Sequence, residues 1–390
     1  MYLYVFSIIF QSGTVMAAVI RDGYLFQLTR VLIIVIPFFY VFINIKRVFN
    51  FFVLCSVGGL FFIGVNYILY KNGVMQLAYK VSIFILSACF ILILSQKKMD
   101  ITTSFYNIIL LIVIVSVFFY FWLYLMRISL PYKEIRGEDT YIYRSYCNVF
   151  YTYNFWDKYP RMSGFFWEPG VCQIYFNLAL FLYVIKKKDN IVQVFLIIIG
   201  LLLTQSTSGY CIMALILSYY ISNSRLFDRM SKKMISIVGA YATVVLAIIL
   251  ISIKVQESIG KNWESYAVRK LDFVNGIRVL SNHPLFGTGY GNIGEFLSIN
   301  KWGTGSSNGL LTWMFMTGLL GMVIVFFPVI KSFIMTKFKK QYLLWIIVLI
   351  MFNVTEPIYN LPLMAMLIGM EYARWYKLKR FKEELSTNEG

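Results

Sequence analysis

Arginine, tyrosine and carboxylate side chains are concentrated in two stretches of an otherwise apolar chain, residues 127–169 and 254–306. The planar guanidinium group of arginine suits phosphate oxygens, and aromatic faces beside arginines suit a sugar ring. The two stretches therefore predict a site for an anionic substrate. Two plainer interpretations stay open: long loops cross a membrane largely regardless of charge, and aromatic rings at this depth also belong to the interfacial belt.

Other kinds of chemistry are disfavoured by the residue pattern. The run Gly289–Gly294 fits G-x-G-x-x-G, but it follows His283-Pro284 and not a buried strand, so it predicts a turn and not a nucleotide site. The chain has one histidine and no Gly-Lys-Ser/Thr phosphate loop. We therefore expect neither a metal site nor a cofactor.

Composition determines the fold class. Of 390 residues, 59% are hydrophobic and only 14% are charged, too few charges for the surface of a soluble protein of this size. Most apolar runs approach the roughly 20 residues that a helix needs to cross a bilayer. We predict an all-α polytopic membrane protein, with residues 1–390 forming a single transmembrane domain.

The net charge of +18 lies mostly in short basic groups between the apolar runs. The positive-inside rule assigns these groups to the cytoplasm, so topology explains the charge and no nucleic-acid partner is expected. The groups are Lys46-Arg47, Lys97-Lys98, Lys186–Lys188, Arg225–Lys233, Lys331–Lys340 and Arg374–Lys382.

Twelve transmembrane helices alternate between these basic groups, which places both termini in the cytoplasm and the stretches 127–169 and 254–306 outside as two large loops. The pairs 190–204/209–223 and 342–355/358–373 are short and are alternatively re-entrant. The predicted spans are 2–20, 25–45, 49–70, 75–95, 104–126, 170–185, 190–204, 209–223, 234–253, 307–330, 342–355 and 358–373.

Three segments together resemble the O-antigen polymerase and O-antigen ligase family. Arg278 precedes the run His283–Asn292, which reads HPLFGTGYGN, and ten residues separate Arg278 from Gly289. The segment Arg161–Pro169 resembles the family's R-x-S-G-x-F-x-E-P entry to a helix. Ser306-Ser307-Asn308-Gly309 resembles the start of a later family helix. The resemblance covers residues 160–330 well and the N-terminal third by hydropathy only.

The resemblance implies a polysaccharide polymerase in the bacterial cytoplasmic (inner) membrane. Such a glycosyltransferase moves a glycan from a polyprenyl diphosphate carrier to a lipid-linked repeat unit at the outer face. Its implied partners are that lipid-linked oligosaccharide, the bilayer and, optionally, a chain-length regulator and a flippase. The product is an O-antigen of lipopolysaccharide, a capsule or another exopolysaccharide, which the sequence does not distinguish.

Within this implied chemistry, Arg161 and Arg278 are expected to stabilise the departing diphosphate, and Glu168 to act as general base on the acceptor hydroxyl. Either arginine could instead belong to a loop ion pair, and Glu168 could instead cap a helix N-terminus. Lower in rank is a set of predicted substrate-binding residues. The set consists of His283, Gly289, Arg269, Asn308 and Glu356. For His283 a role in a turn is the stronger alternative, and Glu356 could instead face water.

Two other functions stay open. A ligase would transfer the glycan to a different acceptor, but ligases of the family have a histidine near the position of Ser306–Asn308. A lipid-linked oligosaccharide flippase or other transporter would place charges in the middle of its spans. Here only Arg30, Lys80 and Glu371 are candidates.

Overall fold

The computed structural model describes residues 1–21, 23–71, 73–136, 142–152, 160–186, 190–223, 263–300 and 305–388. The described chain is mostly helical. Its α-helices are α1 Tyr2–Gln11, α2 Tyr24–Ile43, α3 Ile45–Tyr70, α4 Val74–Gln96, α5 Ile101–Tyr120, α6 Pro169–Ile185, α7 Ile191–Leu203, α8 Thr207–Asn223, α9 Trp263–Asn282, α10 Gly294–Ile299, α11 Gly309–Met335, α12 Lys340–Thr355 and α13 Pro362–Asn388. Short π-helices cover Met16–Ile20 and Phe121–Leu125, and a 3₁₀ turn covers Ile358–Asn360.

Among the described residues, five helices are long and apolar enough to cross a membrane: α2, α3, α4, α5 with its π-helical extension, and α11. They coincide with five of the predicted spans. Helices α1, α6, α7 and α12 are apolar but shorter, so a count of twelve crossings stays a prediction. The predicted span 234–253 lies outside the described residues, as do 137–141, 153–159, 254–262 and 301–304 of the two predicted loops.

The predicted first span, 2–20, is broken in the structure. Helix α1 ends at Gln11, and a turn separates it from the π-helix Met16–Ile20. The break is stabilised by other segments: Trp167 N donates to Gly13 O at 3.1 Å, and the Tyr175 hydroxyl donates to Ser12 O at 2.7 Å. Carbonyl groups that leave a helix inside an apolar bundle need such partners.

A three-stranded antiparallel sheet lies in the first predicted loop, where an all-α fold leads one to expect no strands. Its strands are β1 Lys133–Arg136, β2 Ile142–Tyr146 and β3 Phe150–Thr152, in the order β1-β2-β3. Tyr151 N also donates to Gly164 O at 2.7 Å. The sheet therefore connects the loop to the segment that leads into α6.

Helix α6 lies at the centre of the bundle, because every residue from Pro169 to Val184 is buried. It packs against α5, α7, α8 and α12. Its polar side chains make hydrogen bonds within the helix and to a neighbour: Asn177 Nδ2 donates to Gln173 Oε1 at 3.0 Å and to Gly209 O of α8 at 3.1 Å. A helix enclosed on all sides fits the nearly continuous apolar sequence of this segment.

Helix α11 is interrupted at Gly318, whose φ of 62° and ψ of −161° are not helical. The segment 284–289 replaces the lost helical hydrogen bonds on both sides of the break. Thr288 N and Gly289 N donate to Phe315 O and Met316 O, and Leu319 N and Leu320 N donate to Pro284 O and Leu285 O. Glycine is required for this close approach, since a Cβ on Gly318 would lie 2.4 Å from the Leu285 carbonyl carbon.

Candidate functional site

The junction before α6 presents Glu168. Its backbone is extended, and Pro169 follows at the first helical position, where proline's fixed φ suits a helix start. The Glu168 side chain makes no capping hydrogen bond. Instead Oε1 accepts a hydrogen bond from Trp167 Nε1 at 2.8 Å. The capping role considered for this residue is therefore not seen, and the carboxyl group is held by an indole at the end of the bundle.

Glu356 reaches the same place from a distant part of the chain. It follows α12 in an extended conformation, in the turn before the 3₁₀ segment Ile358–Asn360. Two glycines leave room for it: a Cβ on Gly170 would lie 1.9 Å from Glu356 Oε1, and a Cβ on Gly309 would lie 2.4 Å from Glu356 O. The Glu356 turn thus fits between the first turns of α6 and α11.

The two carboxyl groups form a pair. Burial raises the pKa of Glu356 well above its usual range, and the charge and a side-chain hydrogen bond of Glu168 raise it further. Like charges this close cannot both ionise at low cost. Burial and the Glu168 charge therefore both favour the protonated form of Glu356.

Two arginines oppose that shift, because the charges of Arg269 and Arg161 lower the pKa of Glu356. Arg161 is partly buried, and its Nε donates to Thr204 O at 3.2 Å, in the turn between α7 and α8. Met162 N donates to Leu203 O at 3.0 Å in the same turn. Arg269 comes from α9. Segments from both predicted outer loops and from both short helix pairs therefore meet at the carboxyl pair.

Arg278 lies elsewhere. Gly276 of α9 faces α11, since a Cβ there would lie 2.4 Å from Leu311 Cδ2. At about 100° per residue, Arg269 shares that face, whereas Arg278 lies about 180° from Arg269. Arg278 is exposed. The structure therefore brings Arg269 to the carboxyl pair, although the motif spacing had favoured Arg278.

The remaining predicted residues make contacts within the scaffold. His283 Nε2 lies 2.8 Å from Glu295 Oε2 of α10. Gly289, with φ of 100°, packs beneath Tyr70, so that a Cβ would lie 2.7 Å from Tyr70 Cγ. Asn308 caps α11 by accepting from Leu311 N at 3.0 Å. These contacts explain why histidine, glycine and asparagine occupy the three positions, and no substrate is needed for that explanation.

The run 283–292 contacts the segment after Glu356 through Tyr290. This side chain is buried, and its hydroxyl donates to Asn360 Oδ1 at 2.6 Å. Asn360 ends the 3₁₀ segment that follows Glu356. Because 284–289 is also hydrogen-bonded to the break in α11, the run connects that helix to the turn that carries Glu356.

Sequence reasoning missed Asp272, a fully buried carboxylate on α9. It accepts hydrogen bonds from Ser307 N at 2.9 Å and Ser307 Oγ at 2.8 Å, just before α11. These bonds fix the helix that carries Arg269. The available signal was the spacing of Arg269, Asp272 and Gly276, which places all three on one helical face.

The protein is mostly helical, and several of its helices are long and apolar enough to cross a membrane. A cluster of carboxyl and guanidinium groups lies where helix ends meet. Within the described ranges, no group of three His, Cys, Asp or Glu side chains is placed to hold a metal ion. No family model matches the chain, and comparison with curated proteins and with solved structures likewise finds no match.

Proposed function

We propose that the chain is a membrane glycosyltransferase of the polysaccharide polymerase type, acting on polyprenyl-diphosphate-linked glycans at the outer face of a bacterial cytoplasmic membrane. The observation that carries the proposal is the meeting of Glu168 and Glu356 with Arg161 and Arg269. With Glu356 in the protonated form that its raised pKa favours, the pair carries at most one negative charge against the positive charges of Arg161 and Arg269. The site therefore carries a net positive charge that suits a diphosphate.

The reaction needs a base and an anion-binding group, and the site has both. The acceptor sugar's hydroxyl attacks the anomeric carbon of the donor glycan and gives its proton to Glu168. The bond from that carbon to the diphosphate oxygen breaks, and the diphosphate leaves with the bonding electrons. Arg161 and Arg269 stabilise the charge that develops on it, which accelerates the reaction because they are already in position.

Glu356 has a different role, because its raised pKa favours the protonated form. A second negative charge in the site would repel the diphosphate. A protonated carboxyl group instead donates a hydrogen bond to Glu168 or to a sugar oxygen. In this mechanism Glu168 serves as the base and Glu356 as a neutral donor, a division of roles that carboxyl pairs also show in other enzymes.

The proposal is tested by the length distribution of the surface glycan. Cells that lack the protein should carry single-repeat glycan, and the wild-type chain should restore the ladder. We expect Glu168→Gln to reduce polymerisation by about 10²–10⁴-fold, as for loss of a general base. Glu134→Gln is the matched control, because Glu134 is an exposed carboxylate of β1 in the same loop. An unchanged ladder in the deleted cells would refute polymerisation and favour transport.

A second comparison tests which arginine contacts the diphosphate. Arg269→Gln and Arg278→Gln make the same chemical change on opposite faces of one helix. We expect Arg269→Gln to shorten the ladder strongly, by about 10²-fold in rate, and Arg278→Gln to have the smaller effect. The reverse result would show that the motif spacing, and not the position beside Glu356, identifies the reacting arginine.

The acceptor distinguishes a polymerase from a ligase. Purified protein should elongate a lipid-linked repeat unit when a second lipid-linked repeat unit is the only acceptor. Transfer only to an unrelated acceptor, such as a lipid A core, would identify the ligase reaction instead.

A further inference from the structure

A cavity of about 330 Å³ lies at the opposite end of the bundle from the carboxyl pair. It is bounded by the first turn of α5, the last turn of α6, the end of α11, the start of α12 and the middle of α13. Its volume falls in the range of roughly 300–1,000 Å³ that is typical of small-molecule sites. The charge pattern assigns this end of the helices to the cytoplasm.

The deep wall of the cavity is apolar. Phe105 of α5, Leu178, Phe181 and Leu182 of α6, and Trp345 of α12 are all buried and line it. Side chains of this kind pack against hydrocarbon and offer few partners for a polar ligand. The deep part therefore suits an acyl chain.

A fully buried carboxylate, Glu371, shapes the cavity wall. It accepts hydrogen bonds from the Tyr342 hydroxyl and from Trp345 Nε1, the latter at 2.9 Å. Arg374 Nη1 lies 3.4 Å from Glu371 Oε1, and its guanidinium carbon lies 4.8 Å from the centre of the Tyr342 ring. Glu371 thus fixes Arg374 at the cavity while part of the Arg374 side chain stays exposed.

The rim of the cavity is basic. Lys186, Lys339 and Arg374 line it, and these three cations outnumber the two carboxylates that contact them, Asp100 and Glu371. Lys186 is held in place by Asp100. Lys339 is exposed. These residues belong to three of the basic groups that the sequence assigns to the cytoplasmic side, and the fold brings them to one opening.

We propose that this cavity binds one anionic phospholipid of the surrounding bilayer. An acyl chain occupies the apolar part, and the headgroup phosphate contacts Lys186, Lys339 and Arg374. Basic pockets between membrane helices on the cytoplasmic side recognise anionic headgroups in this way. A zwitterionic headgroup would bring its ammonium group toward the same three cations, which disfavours it. The site is separate from the carboxyl pair and does not depend on the proposed reaction.

The experiment counts lipids retained by the full-length protein in native mass spectrometry. The purified chain is offered phosphatidylglycerol, phosphatidylcholine or a polyprenyl phosphate at equal concentration. The wild type should retain one phosphatidylglycerol, preferred over phosphatidylcholine by more than about tenfold, because each basic residue near an anionic lipid contributes roughly fivefold. Equal retention of the two phospholipids would overturn the proposal without any variant.

Two variants locate the site. Lys186→Gln combined with Lys339→Gln should weaken phosphatidylglycerol retention by about 25-fold, because each lysine contributes about fivefold. The control, Lys98→Gln with Lys337→Gln, removes the same charge from exposed residues at the same end that do not line the cavity. Leu182→Trp fills the apolar part, leaves every charge in place and should also abolish retention.

The result that counts against the site is an equal loss in the control and in the cavity variants, which would indicate general attraction to the basic surface. Retention that survives Leu182→Trp would likewise refute an acyl chain in the cavity. Displacement of phosphatidylglycerol by an equal amount of polyprenyl phosphate would assign the cavity to the glycan carrier and overturn the phospholipid proposal.

Discussion

At the scale of single residues, the Glu168–Glu356 pair combines two groups that the sequence could only treat one at a time. Glu168 was a candidate because it stands at a loop–helix junction beside Pro169, and Glu356 because apolar helices flank it. Their pairing depends on how α6 and α12 pack, and that packing cannot be read from residues so far apart in the chain. The pair explains why glycine occupies positions 170 and 309, where a side chain would meet the Glu356 turn.

The raised pKa of Glu356 predicts how stability depends on pH. A carboxyl group whose pKa is higher in the folded than in the unfolded protein stabilises the fold at low pH. That contribution is lost as the pH rises from the unfolded pKa through the folded pKa. We expect the melting temperature of the wild type in detergent to fall over this range and that of Glu356→Gln to fall less. Parallel curves would show that Glu356 is ionised at neutral pH.

The two glycines that surround Glu356 predict contrasting effects. Gly170→Ala meets only the end of the Glu356 side chain, which can rotate away, so we expect loss of polymer synthesis with a melting temperature close to that of the wild type. Gly309→Ala meets backbone atoms of Glu356 and Pro357. It should therefore lower the free energy of unfolding, by about 2–4 kcal/mol. Equal effects of the two changes on melting would contradict this geometry.

At the scale of secondary structure, hydropathy predicted the long helices well and the breaks within helices poorly. Helices α2 to α5 follow continuous apolar runs. The turn at Ser12–Thr14 and the break at Gly318 depend on partners from distant segments, namely Trp167, Tyr175 and the run 284–289. The motif containing Gly289 was visible in the sequence, but its position against α11 was not.

The hydrogen bonds from Ser307, just before α11, to Asp272 of α9 predict a positioning role for Asp272. Asp272→Asn keeps the shape but weakens the charge-assisted bonds to Ser307, so the free energy of unfolding should fall by about 1.5–3 kcal/mol. The rate of polymerisation should fall further than stability alone requires, because Arg269 is carried by the same helix. Rescue of the rate by Asp272→Glu would support positioning. An unchanged rate in the asparagine variant would exclude it.

At the scale of the whole molecule, the bundle has two chemically different ends. Carboxyl and guanidinium groups meet at one end, and two lysines and one arginine line a cavity at the other. The charge pattern of the sequence predicted which end carries the basic groups. It did not predict which basic residues share a cavity, because that depends on how α5, α6, α11, α12 and α13 pack.

The orientation of the bundle can be tested with a native thiol. Cys147 is exposed between β2 and β3, whereas Cys55, Cys89 and Cys172 are buried. We expect a membrane-impermeant maleimide to label Cys147 in intact spheroplasts and to leave the Cys147→Ser protein largely unlabelled. Lys98→Cys, made in the Cys147→Ser background, should react only after permeabilisation. Labelling of Lys98→Cys in intact spheroplasts would reverse the predicted orientation.

The break at Gly318 also divides a helix that is longer than a bilayer is thick. At 1.5 Å per residue, an unbroken helix over Gly309–Met335 would be about 40 Å long, well beyond a hydrocarbon layer of about 30 Å. The part after the break, 319–335, measures roughly 26 Å, which a bilayer accommodates with little distortion. Gly318, against which the run 284–289 packs, therefore separates a segment of membrane length from the first turns of α11, which contact the Glu356 turn.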